Sequence, residues 1–305
     1  MERSFPTRRR FLQGTLTGCL WPVLDHADAA PASPQSVVYP RHIDAVDERY
    51  DYDWLILRTA LDKSAAAFGP FEMKQLDETM SPQRVRSELG LAHGRINVFA
   101  CATARELEQR FLPIRIPIDK GLLGFRVFMV RSADLPRFAA VRSVQDLRAL
   151  RAGQGKDWVD IPILRAAGMP VVEGSWESMY SMLMAGRFDY YSRGVDEAPR
   201  ELGENRHRFP QMALEPTLLL HYPLPRYIFV RRDAEGEQLA RRIQAGLDTM
   251  LQDGTLNALF RQHKGPVIER CGLDRRRLLT VPNPFMTAET PLQRPELWYR
   301  PLAAR

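Results

Sequence analysis

The sequence predicts an α/β protein built in two successive rounds. Apolar positions switch repeatedly between the 3.6-residue spacing of amphipathic helices and the short runs of buried strands, with glycine or proline between the segments. From residue 143 the same succession starts again. Alternating strands and helices predict a largely parallel sheet, and two rounds predict two lobes.

The elements follow in order. Residues 36–39 form a short apolar run closed by Pro40, a first strand. Trp54, Leu57, Leu61, Ala65 and Phe68 fall on one helical face that Gly69 and Pro70 end. Residues 71–76 alternate as a strand does. Ser81 caps a helix over 81–91 with Pro82 in its first turn. A strand over 95–102, a short helix over 103–110, and strands over 112–118 and 125–130 complete the first round, with a turn at 121–124. In the second round Ser143 caps a short helix, residues 152–155 (AGQG) read as a turn, and 157–167 read as a helix. A strand at 171–172, a helix over 176–185 and a strand over 188–191 follow. Leu239, Ile243, Leu247, Met250 and Leu251 line a strong helix that Gly254 closes.

The N-terminus reads as an address. Arg8, Arg9 and Arg10 run into Phe11 and Leu12, an apolar stretch continues to Leu24, and small residues end at Ala29. TRRRFLQ, residues 7–13, resembles the twin-arginine export motif, with Gln13 where lysine is commoner. The apolar stretch of about 14 residues is shorter than the roughly 20 that span a bilayer. Residues 1–29 are therefore expected to be a removed signal peptide and the mature chain periplasmic. LTGC, residues 16–19, offers lipidation at Cys19 as the alternative, but the apolar run continues past it.

Composition narrows the function. The net charge of +6 is spread among interspersed acids, which argues against a nucleic-acid-binding stripe. Residues 266–305 hold seven arginines against four acids, so half of the excess lies there. Cys101 and Cys271 could pair in an oxidising compartment, or Cys101 could be a small buried hydrophobe. The six histidines show no zinc spacing, so no metal and no cofactor are expected.

Three blocks carry a family likeness. They are SVQDL at 143–147 with Gln154 and Gly155, LMAGRFD at 183–189, and DGTL at 253–256 with Phe260 and HKG at 263–265. In this order and spacing the chain resembles the amino-acid-type periplasmic solute-binding proteins of bacterial ABC transporters, solute-binding family 3. The resemblance spans residues 36–265. It implies the type II periplasmic-binding-protein fold, two α/β lobes closing like a hinge on a small solute. Lobe 1 would be 36–131 and 221–265, and lobe 2, inserted into it, 132–220, with crossings near 131–134 and 212–220. Asp189 would sit near the carboxyl end of a strand, where such sheets bind ligands. Residues 266–305 remain as a C-terminal extension.

The resemblance also shows where this chain departs. Family members carry T-x-x-R or T-x-x-x-R for the ligand carboxylate; here Thr103 matches, but Glu106 or Leu107 stands at the arginine position and Arg105 is displaced. The acid that holds the α-amino group would fall at Gly194, beside Arg193. A buried charge left unpaired costs several kcal/mol, so an anionic or aromatic solute fits better than an ordinary α-amino acid. The candidate contacts are Thr103 and Arg105 from the first lobe and Gln154, Asp157, Trp158, Tyr191, Ser192 and Arg193 from the second. Each has a purely structural alternative: Arg105 as a solvated helix residue, Trp158 and one of Tyr190 and Tyr191 as core, Arg193 as ion-paired with Asp196 or Glu197.

The reading is a non-catalytic, monomeric binding protein that serves a membrane permease or a sensor. No nucleophile elbow, P-loop or dinucleotide fingerprint is present. The alternatives are an enzyme on the same fold using Glu106 or Asp157 as the acid, and a ligand-free interaction module docking through its proline-rich tail. Pro282, Pro284, Pro291, Pro295 and Pro301 make that tail a strap on its own lobe or a docking segment.

Overall fold

The computed structural model describes residues 1–2, 33–42 and 48–301; the signal-peptide reading and Cys19 lie outside the described residues. The first lobe opens with β1 (Gln35–His42), α1 (Glu48–Phe68) and β2 (Phe71–Met80). Strand β1 runs through Pro40 by shifting its register against parallel β2 between Tyr39 and Arg41. Gly69, at φ +79°, turns the chain out of α1 in a conformation that only glycine adopts without strain. Helix α2 (Pro82–Leu89) starts on Ser81, whose hydroxyl accepts from the Arg84 amide, as the cap reading expects. Then come β3 (Val98–Ala102), α3 (Arg105–Arg110) and β4 (Leu112–Ile114). The Asn97 side chain joins β1 to the start of β3, accepting from the Val38 amide at 2.8 Å and donating to the Ser36 carbonyl at 2.8 Å.

The second lobe contains β5 (Phe125–Arg131), α4 (Leu135–Ala139), α5 (Val144–Leu147), β6 (Ala152–Gly155), α6 (Asp160–Ala166) and β7 (Val171–Gly174). It continues through α7 (Met179–Met184), β8 (Tyr190–Gly194), α8 (Ala198–Asn205), β9 (Met212–Leu214) and β10 (Leu218–His221). Ser143 and Asp146 form the reciprocal capping box that starts α5. The chain returns through β11 (Arg226–Val230) and α9 (Ala234–Gln252). It ends with α10 (Thr255–Cys271) and β12 (Arg277–Thr280).

The sheets are mixed rather than largely parallel. In the first lobe β11 lies between β3 and β4, antiparallel to both. The seven-stranded sheet runs β12-β10-β5-β8-β6-β7, with β9 also on β5. Its β6–β7, β6–β8 and β10–β12 pairs are parallel, while β5 is antiparallel to β8, β9 and β10.

This pairing corrects three expectations. The crossing expected near 131–134 falls earlier, between Ile114 and Phe125, because β5 already belongs to the larger sheet. The return expected within 212–220 falls after His221, because β9 and β10 pair with β5. The 152–155 stretch, read as a turn, is the fully buried strand β6. Gly153 and Gly155 are there because rings lie against the backbone. A Cβ on Gly153 would come 2.7 Å from Phe188 Cδ2, and one on Gly155 would come 2.7 Å from Trp158 Cζ2.

Residues 266–305 do not hang free. Helix α10 continues through Pro266 to Cys271, and β12 adds an edge strand to the larger sheet. Beyond it Val281 enters the core of the second lobe, and Leu297, fully buried, enters the core of the first. The described tail is thus a strap, and it ties both lobes rather than one. Cys101 and Cys271 are both free thiols rather than a pair. Among the described residues, no helix is long and apolar enough to cross a membrane.

Candidate functional site

The carboxyl ends of β6 and β8 and the start of α6 face the ends of β3 and the start of β11, and two cavities open there. They share Trp158, Val159 and Leu224. The outer cavity, of about 460 Å³, is lined by Thr103, Arg105 and Glu106 of the first lobe, Asp157 and Trp158 of the second, and Phe285 of the strap. The inner cavity, of about 560 Å³, takes Tyr50, Ala102 and Arg226 from the first lobe and Arg126, Trp158, Trp176, Arg193 and Glu197 from the second.

Of the eight residues singled out by sequence, Thr103, Arg105, Asp157 and Trp158 meet at the outer cavity, and Trp158 and Arg193 at the inner one. The Thr103 hydroxyl is already committed, donating to Glu108 at 2.6 Å, and Arg105 is exposed. Glu106 and Asp157, the acids of the enzyme alternative, are also exposed. Gln154, Tyr191 and Ser192 line neither cavity. They are buried beneath, where Gln154 Oε1, the Tyr191 hydroxyl and Ser192 Oγ have no hydrogen-bond partner. Both Tyr190 and Tyr191 are core, and Tyr191 supports Trp158 in a stack of 6.2 Å between centroids at 19°.

Asp189 lies elsewhere. It precedes β8, at the amino end of the strand, where its carboxylate accepts the Arg151 amide at 2.7 Å and Arg137 at 3.0 Å. Although burial opposes ionisation, these hydrogen bonds and the nearby arginines hold its carboxyl below the ordinary value. Its role is to fix the strand, not to meet a ligand.

The inner cavity has a wall of buried charge. Arg193 is 5% exposed and forks onto Glu201, Nε at 2.8 Å and Nη2 at 2.5 Å, with Glu197 3.2 Å from Nη2. The ion pair considered from sequence thus forms with Glu197 and Glu201, and Asp196 pairs instead with Lys264 at 3.1 Å. The Arg193 guanidinium also lies 4.5 Å from the centre of the Trp158 ring. Burial alone would lower its pKa, but Glu197 and Glu201 carry it well above the ordinary value, so it stays charged. Arg126, 3% exposed, stands 2.6 Å from Asp160 and 3.6 Å from Glu197. The Asp160 carboxylate also accepts from the Tyr222 hydroxyl. The Arg126 Nε is buried and has no hydrogen-bond partner. Arg226 forks onto buried Asp53, with Nε at 2.9 Å and Nη2 at 2.5 Å.

Sequence reading missed Arg126, Arg226, Asp160 and Glu201, and placed Glu197 only as an ion-pair partner of Arg193. The acid absent at position 194 arrives from Glu197, whose carboxylate accepts the Gly194 amide at 2.9 Å. A Cβ at 194 would stand 2.9 Å from that carboxylate, so the glycine is what admits it. The one signal available was arginine at position 126 inside an otherwise apolar strand pattern.

Two α/β lobes, the second inserted into the first, with a cleft at the strand ends, define a periplasmic-binding-protein-like fold. Known structures agree. The probable amino-acid ABC transporter extracellular-binding protein ytmK of Bacillus subtilis superposes with a TM-score of 0.52 at 13% identity, over 75% of this chain and 97% of that one. A structure from work on glutathione import via GshT and the cystine ABC importer TcyBC of Streptococcus mutans gives 0.52 at 12% identity, over 76% and 96%. A histidine kinase sensor domain similar to periplasmic binding proteins gives 0.50 at 16%, over 75% and 96%. No protein-family model and no curated protein sequence matches the chain.

Proposed function

We propose that this chain is a periplasmic solute-binding protein that captures one small solute in the inner cavity and presents it, as a monomer, to an ABC permease or a membrane sensor. The carrying observation is the cavity itself, set at the strand ends between the lobes and walled by paired, buried charges and aromatic rings. Its volume of about 560 Å³ suits a small molecule. The transport and sensing roles in the names of the similar structures support the reading, and the export signal expected at the N-terminus supports the location.

In this reading Trp158 and Arg193 contact the solute, while Tyr191, Gln154 and Ser192 hold them from below. Thr103, Arg105 and Asp157 border the outer opening. In this reading the chain returns its ligand unchanged, and the exposure of Glu106 and Asp157, the acids of the enzyme alternative, supports it. Native mass spectrometry of the mature protein, purified without refolding, tests this: a stoichiometric small-molecule mass lost on denaturation is the expected result. A bare polypeptide that also stays bare after incubation with organic acids, amino acids and phosphates would refute it.

A further inference from the structure

Resting on that reading, we infer that the solute is a monocarboxylate bearing a flat ring, and that Arg126, on the strand entering the second lobe, holds its carboxylate without help from any α-amino group. The argument starts from the hydrogen bonds the wall leaves unmade. Asp160 is met by Arg126 and Tyr222, Glu201 by Arg193 and Tyr180, and Glu197 by the Gly194 amide with Arg193 beside it. Every one of these carboxylates is supplied with donors. Arg126 is the reverse, a 97%-buried cation on the cavity wall whose Nε–H lacks an acceptor. An unsatisfied buried donor costs about 1–3 kcal/mol, and a ligand carboxylate that draws the guanidinium toward the cavity would give this Nε–H its acceptor. A guanidinium edge pairs with carboxylate and phosphate alike, and the apolar lining of this cavity favours the carboxylate, which can carry a ring.

The charge sum limits the rest of the ligand. The cations lining the cavity, Arg126, Arg193, Arg200 and Arg226, are matched in number by Asp160, Glu177, Glu197 and Glu201. A second negative group would find Arg193 already forked onto Glu201 and Arg226 onto Asp53. Of the lining carboxylates Asp160, Glu197 and Glu201 are already engaged, so an ammonium would find only Glu177, which is exposed to solvent. The remaining lining is apolar: Met80, Leu123, Val159 and Leu224 beside the rings of Tyr50 on α1, Trp158 in the turn between β6 and α6, and Trp176 just before α7, the last 49% exposed. Flat rings stack on such walls.

Isothermal titration with phenylpyruvate, indole-3-acetate, L-phenylalanine, L-tryptophan, L-glutamine, citrate and phosphate separates the cases. The expected result is that the two ring acids lacking an amino group bind at least as tightly as their amino-acid counterparts, with citrate and phosphate at least tenfold weaker. Arg126→Gln should weaken the ring acids by tenfold or more. Should that variant misfold, Trp176→Ala, at a half-exposed side chain, should weaken them by several-fold with an unchanged melting temperature. Tight binding of L-glutamine or the aromatic amino acids, with the ring acids failing, would overturn this ligand class while leaving solute capture standing. Binding by nothing, in a folded protein that also carries no mass adduct, would overturn solute capture itself.

Discussion

Replacing Gly155 by alanine tests the link from strand β6 to the binding surface. The new Cβ would lie 2.7 Å from Cζ2 and 2.8 Å from Nε1 of Trp158. Carbon contacts relax only at about 3.5–4.0 Å, so the indole must retreat by roughly 1 Å. Little else can give, because the other atom involved is strand backbone between β7 and β8. The retreat disturbs the packing of Trp158 on the Arg193 guanidinium, now at 4.5 Å, and on the Tyr191 ring, now at 6.2 Å. Overpacking of this kind costs about 1–3 kcal/mol, which lowers Tm by roughly 2–4 °C per kcal/mol in a domain approaching this size. Affinity for a ring acid should fall at the same time, because Trp158 borders both cavities. Calorimetric melting and titration, with Gly203→Ala as the control, measure both. Nothing lies within 4 Å of a Cβ at Gly203, which is in helix α8, so that change should hold or raise Tm. A Gly155→Ala protein that melts and binds like the parent would refute the close approach of Trp158 to the strand.

Burial holds the His221 pKa at about 4, so the folded chain stays neutral there while the unfolded chain takes a proton below its ordinary value of roughly 6.5. Its contribution is present above pH 6.5 and lost as pH falls toward 4, by about 3 kcal/mol at roughly 1.36 kcal/mol per pH unit. Buried Asp119, raised to about 6, acts in the opposite sense, since the fold retains a proton that the unfolded chain releases above pH 4. Denaturant melts from pH 7 to 4.5 should therefore show His221→Gln losing less stability in acid than the parent; an identical pH profile would contradict its burial. Leu297→Ala, which empties a fully buried site in the first lobe, should cost about 2–5 kcal/mol, and a loss below 0.5 kcal/mol would mean that the strap is not docked. Burial lifts the Cys101 thiol to about 12 and the Cys271 thiol to about 11, so iodoacetamide at pH 7.5 should label both only after denaturation, without prior reduction.

Periodicity made the long elements legible. The α1 and α9 stripes and the caps at Ser81 and Ser143 stand where the pattern puts them, since each depends on residues within a few positions. The errors arose where a residue's reason lies far along the chain. AGQG reads as a turn until Phe188 and Trp158 are known to lie on its glycines. Asp189 reads as a ligand group until Arg151, 38 positions earlier, is seen to donate to it. Of the eight proposed contacts, Trp158 and Arg193 reach the inner cavity, while Gln154, Tyr191 and Ser192 are buried within β6 and β8 and line neither cavity. Arg226 and Asp53 are 173 positions apart, and no local pattern joins them.

The buried charges bear on why the motif positions are empty. Ion pairs taken out of water do little for net stability, and well-packed apolar residues often hold a fold as well. Stability alone therefore does not explain Arg126, Arg193, Asp160, Glu197 and Glu201 meeting at one cleft wall. What such a wall provides is donors held in place before any ligand arrives, with no reorganisation on binding. In the family the resemblance names, the cation stands on the helix after β3 of the first lobe. Here the buried guanidiniums sit on β5 and β8, adjacent strands of the second lobe, with Val127 and Arg193 in register. A ligand anchored there stays with the second lobe whether or not the first closes over it, and the first lobe contributes Tyr50, Ala102 and Arg226 as a cover. Substituting Tyr50 by alanine should accordingly speed ligand release far more than it slows capture. In stopped-flow measurements, a fall in the association rate alone would place the anchor on the first lobe instead.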